Sequence, residues 1–264
     1  MALTSVSNPS SYRDDPVAIQ ARIDLAAAHR MAVMHDFHEG VYNHLTLAVP
    51  GTTDRYYQIP FGLHWSEVTA DSFMEVGYDG SLMDGDGEIE RSAYCIHAPL
   101  HQSIADAACV MHTHMPFASA LARLKDPRIL PIGQTEIAIM MQTAYDHQYT
   151  GPAFDFAEGE RLVEVIGNKN IMIMANHGAL TVGKTVAEAY DRLYYLERVA
   201  QVQLYAMQSG RELNTLPDDV VEQTIQAFRS GPVYGGKPSN EHHFAALKRI
   251  LDRQGADYMG SYAT

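Results

Sequence analysis

Cysteine, tryptophan and positive charge are all scarce in this chain. Its 264 residues include two cysteines, one tryptophan and 19 Lys and Arg against 32 Asp and Glu, a formal charge of -13. Two cysteines, Cys95 and Cys109, cannot form a disulfide framework. They read as buried thiols in a reducing cytoplasm, with a redox pair as the alternative. The acidic balance excludes nucleic acid, whose phosphates call for a basic surface. It does not exclude a small anionic substrate, because a metal ion and a few local donors outweigh a distant field. No apolar run approaches the roughly 20 residues of a membrane span, so no membrane partner is expected. The first residues, MALTSVSNPSSYRDDP, lack the apolar stretch of a signal peptide, which makes the cytoplasm the expected location.

Histidine is abundant, with 13 copies. Most read as surface or hydrogen-bonded core residues, so position has to single out the ones that carry chemistry. The pattern along the chain supplies that context. Residues 1–13, rich in Ser and Asn, are expected to be disordered. Asp14-Asp15-Pro16 opens a helix with an apolar stripe of Ile19, Ile23, Ala26, Ala27, Val33, Met34 and Phe37, stopped at Gly40. Short strands follow at His44–Val49, Tyr56–Ile59 and Phe73–Val76, then turns at Asp79-Gly80 and Asp84-Gly85-Asp86-Gly87. Helices are expected at 92–105, 116–125 and 154–166, and strands at 107–112, 170–175 and 179–182. Thr185 and Glu188 form a capping box for a long helix reaching about Gly210. One further helix, opened near Ser239 and closed by Gly255, completes the tail. This order favours a single α/β or α+β domain over 14–213, with helices covering a central mixed sheet, and a helical extension over 214–264.

Two segments carry the strongest chemical signal. His112-Thr113-His114 lies at the exit of an apolar strand, and His177 lies in Asn176-His177-Gly178 at the exit of another. Residues two apart on a strand share a face, and three imidazoles hold a divalent ion while leaving positions open for a substrate. The residues quoted next resemble a known family. Val110-Met111-His112-Thr113-His114-Met115-Pro116 and Asn176 to Gly183 are similar to the class II aldolase and adducin head family. So is Gly40-Val41-Tyr42-Asn43-His44-Leu45-Thr46. Ile59-Pro60-Phe61-Gly62 and Ser66 to Ala70 resemble its adducin-like branch, and the likeness spans residues 17 to 210.

The resemblance implies a three-layer α/β/α sandwich around a central, largely antiparallel mixed sheet. It implies one divalent metal held by His112, His114 and His177, with zinc first and iron, manganese or cobalt as alternatives. It implies a homo-oligomer, commonly a tetramer, with active sites at subunit interfaces. The implied activity is a lyase that cleaves or rearranges small polyhydroxylated or oxo-acid substrates through a metal-stabilised enediolate. A Lewis acid spreads the charge that develops, and a positioned group moves the proton.

The chain departs from the pattern where that proton carrier should stand. Arg91, Ser92 and Ala93 occupy the places of a serine pair and a catalytic glutamate. The nearby acids Glu88 and Glu90 could compensate if the turn is re-cut, but Glu136 is the expected substitute, with a helix N-terminal role as its structural alternative. One of Tyr145, His147 and Tyr149, with Tyr149 taken first, is the candidate acid, supplied to a neighbouring subunit's site. Asn43, Gly62 and Ser92 match phosphate-holding positions of the family. Arg91 could pair with an anion, and His97 matches a histidine near the family site. His35 with His38, and His97 with His101, are spaced as one helical turn. His242 and His243 read as solvated, and Tyr190, Tyr194, Tyr195 and Tyr205 as packing residues. Two other readings stay open: a non-catalytic adducin-head-like oligomerisation or binding module, and a decarboxylase or oxygenase at the same metal.

Overall fold

The computed structural model describes residues 15–229 and 235–263. The expected disordered segment, 1–13, lies outside them. Eight strands form one sheet: β1 His44–Ala48, β2 Arg55–Gln58, β3 Met74–Gly77, β4 Leu82–Asp84, β5 Cys109–Thr113, β6 Thr143–Asp146, β7 Ile171–Met174 and β8 Ala179–Gly183. Their order is β4-β3-β2-β1-β5-β8-β7-β6. Every pairing is antiparallel except β6 with β7. β4, not expected from the sequence, is three exposed residues at the sheet's edge between the two expected turns.

Eight helices flank the sheet among the described residues: α1 Pro16–Met34, α2 Arg91–Ser103, α3 Pro116–Ala122, α4 Gln134–Met140, α5 Phe156–Ile166, α6 Val186–Gln208, α7 Asp218–Arg229 and α8 Ser239–Arg253. The central strands are apolar on both faces, as a doubly covered sheet requires. In β7, Ile171 and Ile173 enter the core beneath α1, α3, α6 and α8. Met172 and Met174 enter a separate core beneath α2 and α5. Two cores on opposite faces of one sheet make the expected three-layer α/β/α sandwich.

Caps fix where helices begin. The Asp15 carboxylate accepts from the Val17 N–H at 2.7 Å, with Pro16 in the first turn. Thr185 Oγ1 accepts from the Glu188 N–H at 3.1 Å, while Glu188 accepts from the Lys184 N–H at 2.7 Å, so the capping signal is real. The stop of α1 is not where Gly40 placed it. His35 is the cap, and Asp36 takes the left-handed turn at φ 62°. His38 therefore stands in a loop rather than one turn along a helix from His35.

α2 and α5 approach closely. Pro99, inside α2, has no N–H to give the Cys95 carbonyl four residues back. Gly159 of α5 sits against that carbonyl, where any Cβ would overlap it.

The tail holds two helices where one was expected. α7 buries none of its residues fully, and its short apolar stripe, Val221, Ile225 and Phe228, was passed over in the sequence. α8 drives Phe244, Leu247 and Leu251 into the main core beside Tyr258. At roughly 1.5–3 kcal/mol for each buried side chain, that contact binds residues 239–258 firmly to the sandwich. His243, expected in solvent, is half-buried and hydrogen-bonded to Asp191 at 2.8 Å. No described helix is long and apolar enough to cross a membrane.

Candidate active site

The strand ends bring the three histidines together. β5 finishes at Thr113, so His112 is held inside the strand and His114 lies just beyond it. β7 and β8 are joined by the tight turn Met174–Ala179, in which Asn176 is left-handed at φ 55°, a conformation asparagine tolerates. The rings of His112, His114 and His177 converge, with centroids 4.8 to 5.0 Å apart. One ligand nitrogen from each lies within 4.8 Å of the other two.

The hydrogen bonds leave the right nitrogens bare. His112 Nδ1–H donates to the Ala179 carbonyl at 3.0 Å, and His114 Nδ1–H donates to the Glu39 carboxylate. Both Nε2 atoms are thereby freed, and that of His114 is buried without a hydrogen-bond partner. A buried bare nitrogen facing two more imidazoles is the arrangement a divalent cation satisfies, so these residues fit the metal. Burial, then the neighbouring histidines, hold His112 well below the usual imidazole range. Burial, then His114 and Arg123, lower His177 to about 4. Both rings are thus neutral and able to ligate at physiological pH.

Two backbone features set this geometry. Asn43, left-handed at φ 72°, accepts the His114 N–H on its Oδ1 at 2.9 Å. A matching family position suggested substrate binding for Asn43. It does reach the cavity wall, and it also anchors a ligand's backbone. Gly178 is the second feature, because a Cβ there would lie 2.6 Å from both His114 Cδ2 and the Thr113 carbonyl oxygen.

The histidines open onto a cavity of about 400 Å³. Two acids line it: Glu39, which holds His114, and Glu90, the cap of α2. The Glu90 carboxylate accepts from the Ser92 hydroxyl at 2.7 Å and from the Ala93 N–H. It lies 3.7 Å from His44 Nε2. Burial pushes its carboxyl up, while the Ser92 hydroxyl and the backbone N–H groups of Ala93 and Ser92 pull it down. Ala93 is fully buried in the first turn of the same helix. The acid three residues earlier therefore reaches the cavity that Ala93 cannot serve. Tyr149 stands at the mouth, its ring 6.3 Å from that of His177. Arg123 lines the wall and donates through Nη1 to the carbonyls of Ser119 and His177.

Of the residues singled out in the sequence, His112, His114, His177, Asn43, Glu90, Ser92 and Tyr149 meet around this cavity. Four others do not line it. Gly62 is in the β2–β3 loop. Arg91 is exposed, with its Nε donating to the Phe154 carbonyl at 3.0 Å. His97 is fully buried behind His44, with its Nε2 2.8 Å from His44 Nδ1. Glu136, the expected substitute acid, occupies the first turn of α4 with its carboxylate against Gly133, the structural alternative. Glu39, His44 and Arg123 escaped the sequence reading. Only His44 left a signal, as part of the Gly40 to Thr46 segment; in the structure, strand pairing sets it directly opposite His112.

With this geometry in hand, comparison with known proteins is informative. A profile of the Class II Aldolase and Adducin N-terminal domain matches residues 23–204. An aldolase II superfamily protein from Pseudomonas syringae, of known structure, is 35% identical, with a TM-score of 0.85 over 94% of this chain and 98% of that one. An adducin-related protein of Schizosaccharomyces pombe is 33% identical over 262 residues, 94% of this chain and 78% of that protein. The structure of L-fuculose 1-phosphate aldolase from Glaciozyma antarctica shares the fold at 21% identity, with a TM-score of 0.77 over 92% of each chain.

Proposed function

The chain belongs to the class II aldolase and adducin N-terminal domain family, and from that premise we propose that it is a metal-dependent lyase of the aldolase type. Its substrate is a small polyhydroxylated or oxo-acid compound. The observation that carries this reading is the convergence of three imidazoles on a cavity that also holds a carboxylate, a phenol and a guanidinium. His112, His114 and His177 hold the ion, zinc by the resemblance, though three neutral ligands also accept iron, manganese or cobalt. When bound there, a divalent ion supplies Lewis-acid stabilisation of negative charge developing on a substrate oxygen.

The protein's own groups do the rest. Glu90, ionised and held by the Ser92 hydroxyl and the Ala93 N–H, is the group placed to take a proton. Tyr149 at the mouth is the group placed to return one. Arg123 adds positive charge on the side of the cavity near His177 and draws in an anionic end of the substrate. The Tyr42 and Phe154 side chains at the rim are 59% and 55% exposed. They suit a neighbouring subunit, in keeping with a cytoplasmic homo-oligomer, tetrameric by the resemblance.

The test has two stages. Metal analysis of pure protein should find about one ion per chain, lost in His112→Ala and His177→Ala. If wild type and variants hold equally little metal, the site is not what we describe. Loaded protein is then incubated in D2O with short ketoses, their 1-phosphates and oxo acids. Deuterium should enter beside the carbonyl of at least one. A loaded protein that exchanges nothing would favour the second reading, a non-catalytic adducin-head-like module, to which the buried Ala93 points.

A further inference from the structure

Behind the cavity wall, two elements with different repeats face each other. β1 places His44 and Thr46 on one face, two residues apart, and α2 places His97 and His101 one turn apart above them. The four side chains form a continuous row. His44 Nδ1 is 2.8 Å from His97 Nε2, and His97 Nδ1 is 2.6 Å from Thr46 Oγ1. Thr46 Oγ1 is 2.8 Å from His101 Nε2, and His101 Nδ1 is 2.7 Å from the Ala107 carbonyl oxygen. The His101 ring is stacked on Tyr56 at 5.2 Å, which holds it in place.

The far end of this row fixes its direction. A carbonyl only accepts, so His101 Nδ1 must carry a proton. Burial keeps the His101 ring neutral, lowering it to about 4, so its Nε2 is a lone pair that receives the Thr46 hydroxyl proton. Thr46 Oγ1 then accepts from His97 Nδ1–H, and His97 Nε2 accepts from His44 Nδ1–H. Redirecting the Thr46 proton to the Val110 carbonyl, 3.4 Å away, would leave the His97 and His44 assignments unchanged. A reversed row would move the proton from His44 Nδ1 to Nε2, and it would set a bare His101 nitrogen against a carbonyl oxygen at 2.7 Å.

We propose that this row, anchored on the Ala107 carbonyl, holds His44 as its Nδ1–H tautomer, so that His44 Nε2 receives a hydrogen bond from a hydroxyl group of the substrate. The cavity-side neighbours of that nitrogen are Ser92 Oγ at 3.4 Å and Glu90 Oε2 at 3.7 Å. Ser92 gives its proton to Glu90 at 2.7 Å, so it offers His44 none. Two acceptors, an imidazole nitrogen and a carboxylate, therefore face the cavity side by side. A hydroxyl-bearing substrate supplies the missing donor, whereas an ether or a second carboxylate does not. His97, Thr46 and His101 act through His44 as positioning residues. The substrate part of this inference rests on the lyase reading, and the tautomer part does not.

The test is nitrogen NMR of the zinc-loaded, full-length protein with 15N-labelled histidine at pH 8. His44 should show a protonated Nδ1 and a bare Nε2, recognisable by its far downfield resonance. A protonated Nε2, or an even mixture of tautomers, overturns the proposal. So does metal coordination of His44 Nε2, seen as a zinc-dependent shift like those of His112 and His114. Thr46→Val breaks the row without changing the shape of β1 and should yield mixed tautomers, while Thr46→Ser restores the single form. Deuterium exchange into a hydroxyl-bearing substrate should fall by about three- to tenfold in His44→Phe at unchanged zinc content, the loss expected for one hydrogen bond. Undiminished exchange overturns the substrate assignment alone. If wild type exchanges nothing, the lyase reading fails while the tautomer result stands.

Discussion

Adding one methyl group at Gly178 should disable the metal centre. The Cβ of Gly178→Ala would lie 2.6 Å from His114 Cδ2 and 2.6 Å from the Thr113 carbonyl oxygen. Ordinary carbon contacts lie at about 3.5 Å or more, so the shortfall is nearly 1 Å. Neither neighbour can give way without cost. The Thr113 carbonyl belongs to the β5–β8 pairing, and the His114 ring is held by Glu39 while its N–H is held by Asn43. Zinc–nitrogen bonds are about 2.0–2.1 Å long, so a ring displaced by that much no longer ligates. Removing groups that merely orient a ligand costs about 10–100-fold in affinity, so displacing the ligand itself should cost at least the upper figure. Overpacking should also lower stability by about 1–3 kcal/mol. Competition against a chelating dye measures the first effect, and urea unfolding of the metal-free protein measures the second. Gly62→Ala is the control. Gly62 has φ 92°, and nothing lies within 4 Å of the position its Cβ would take, so it should lose about 1 kcal/mol of stability and no zinc affinity. A Gly178→Ala protein that binds zinc as wild type does would refute the claim that this close approach sets the position of His114.

Further consequences are open to measurement. Glu39→Gln weakens the acceptor behind His114 and should reduce zinc affinity by about 10–100-fold, read by the same dye competition. Glu90→Gln should lower deuterium exchange by about 10²–10⁴-fold at unchanged zinc content; if Glu136→Gln does this instead, the acid has been misassigned. His29 is fully buried against Trp65 and Phe73, and burial lowers it from 6.5 to about 4. The unfolded chain thus takes up the proton first, so the stabilisation is complete above pH 6.5 and is lost as pH falls towards 4. Relative to His29→Phe, wild type should lose about 2 kcal/mol between pH 8 and pH 5 in urea unfolding, and parallel curves would contradict this.

The parts of the fold written in repeating pattern were legible in the sequence. The apolar runs ending at His112 and before His177 named the central strands, and strand exits are where side chains can converge. The signals that failed were single-residue conformations. Gly40 was the obvious helix stop, yet Asp36 adopts the left-handed turn first, which moved His38 off the helix. Alignment in register put Ala93 where an acid was wanted, and only the cap geometry of α2 shows Glu90 turning back into the cavity. Glu136 looked available because nothing in a linear reading shows that its carboxylate rests on Gly133. α7 went unseen although Val221, Ile225 and Phe228 recur at helical spacing, because that stripe is short and the segment was read as an appendage. His44 and His97 were visible as histidines, but their partnership depends on which face of β1 meets which face of α2.

The contact between Pro99 and Gly159 reaches further than the layer it joins. Pro99 lies between His97 and His101, and the carbonyl it leaves free is seated on α5 through the bare backbone of Gly159. This contact is a mechanical stop that sets how deeply α2 settles over β1. The hydrogen-bonded row is thus calibrated from the outer layer of the molecule, by residues that never meet a substrate. Drift at residue 159 would detune the cavity's chemistry while leaving every cavity residue in place. A survey of tolerated substitutions confined to the cavity would overlook it.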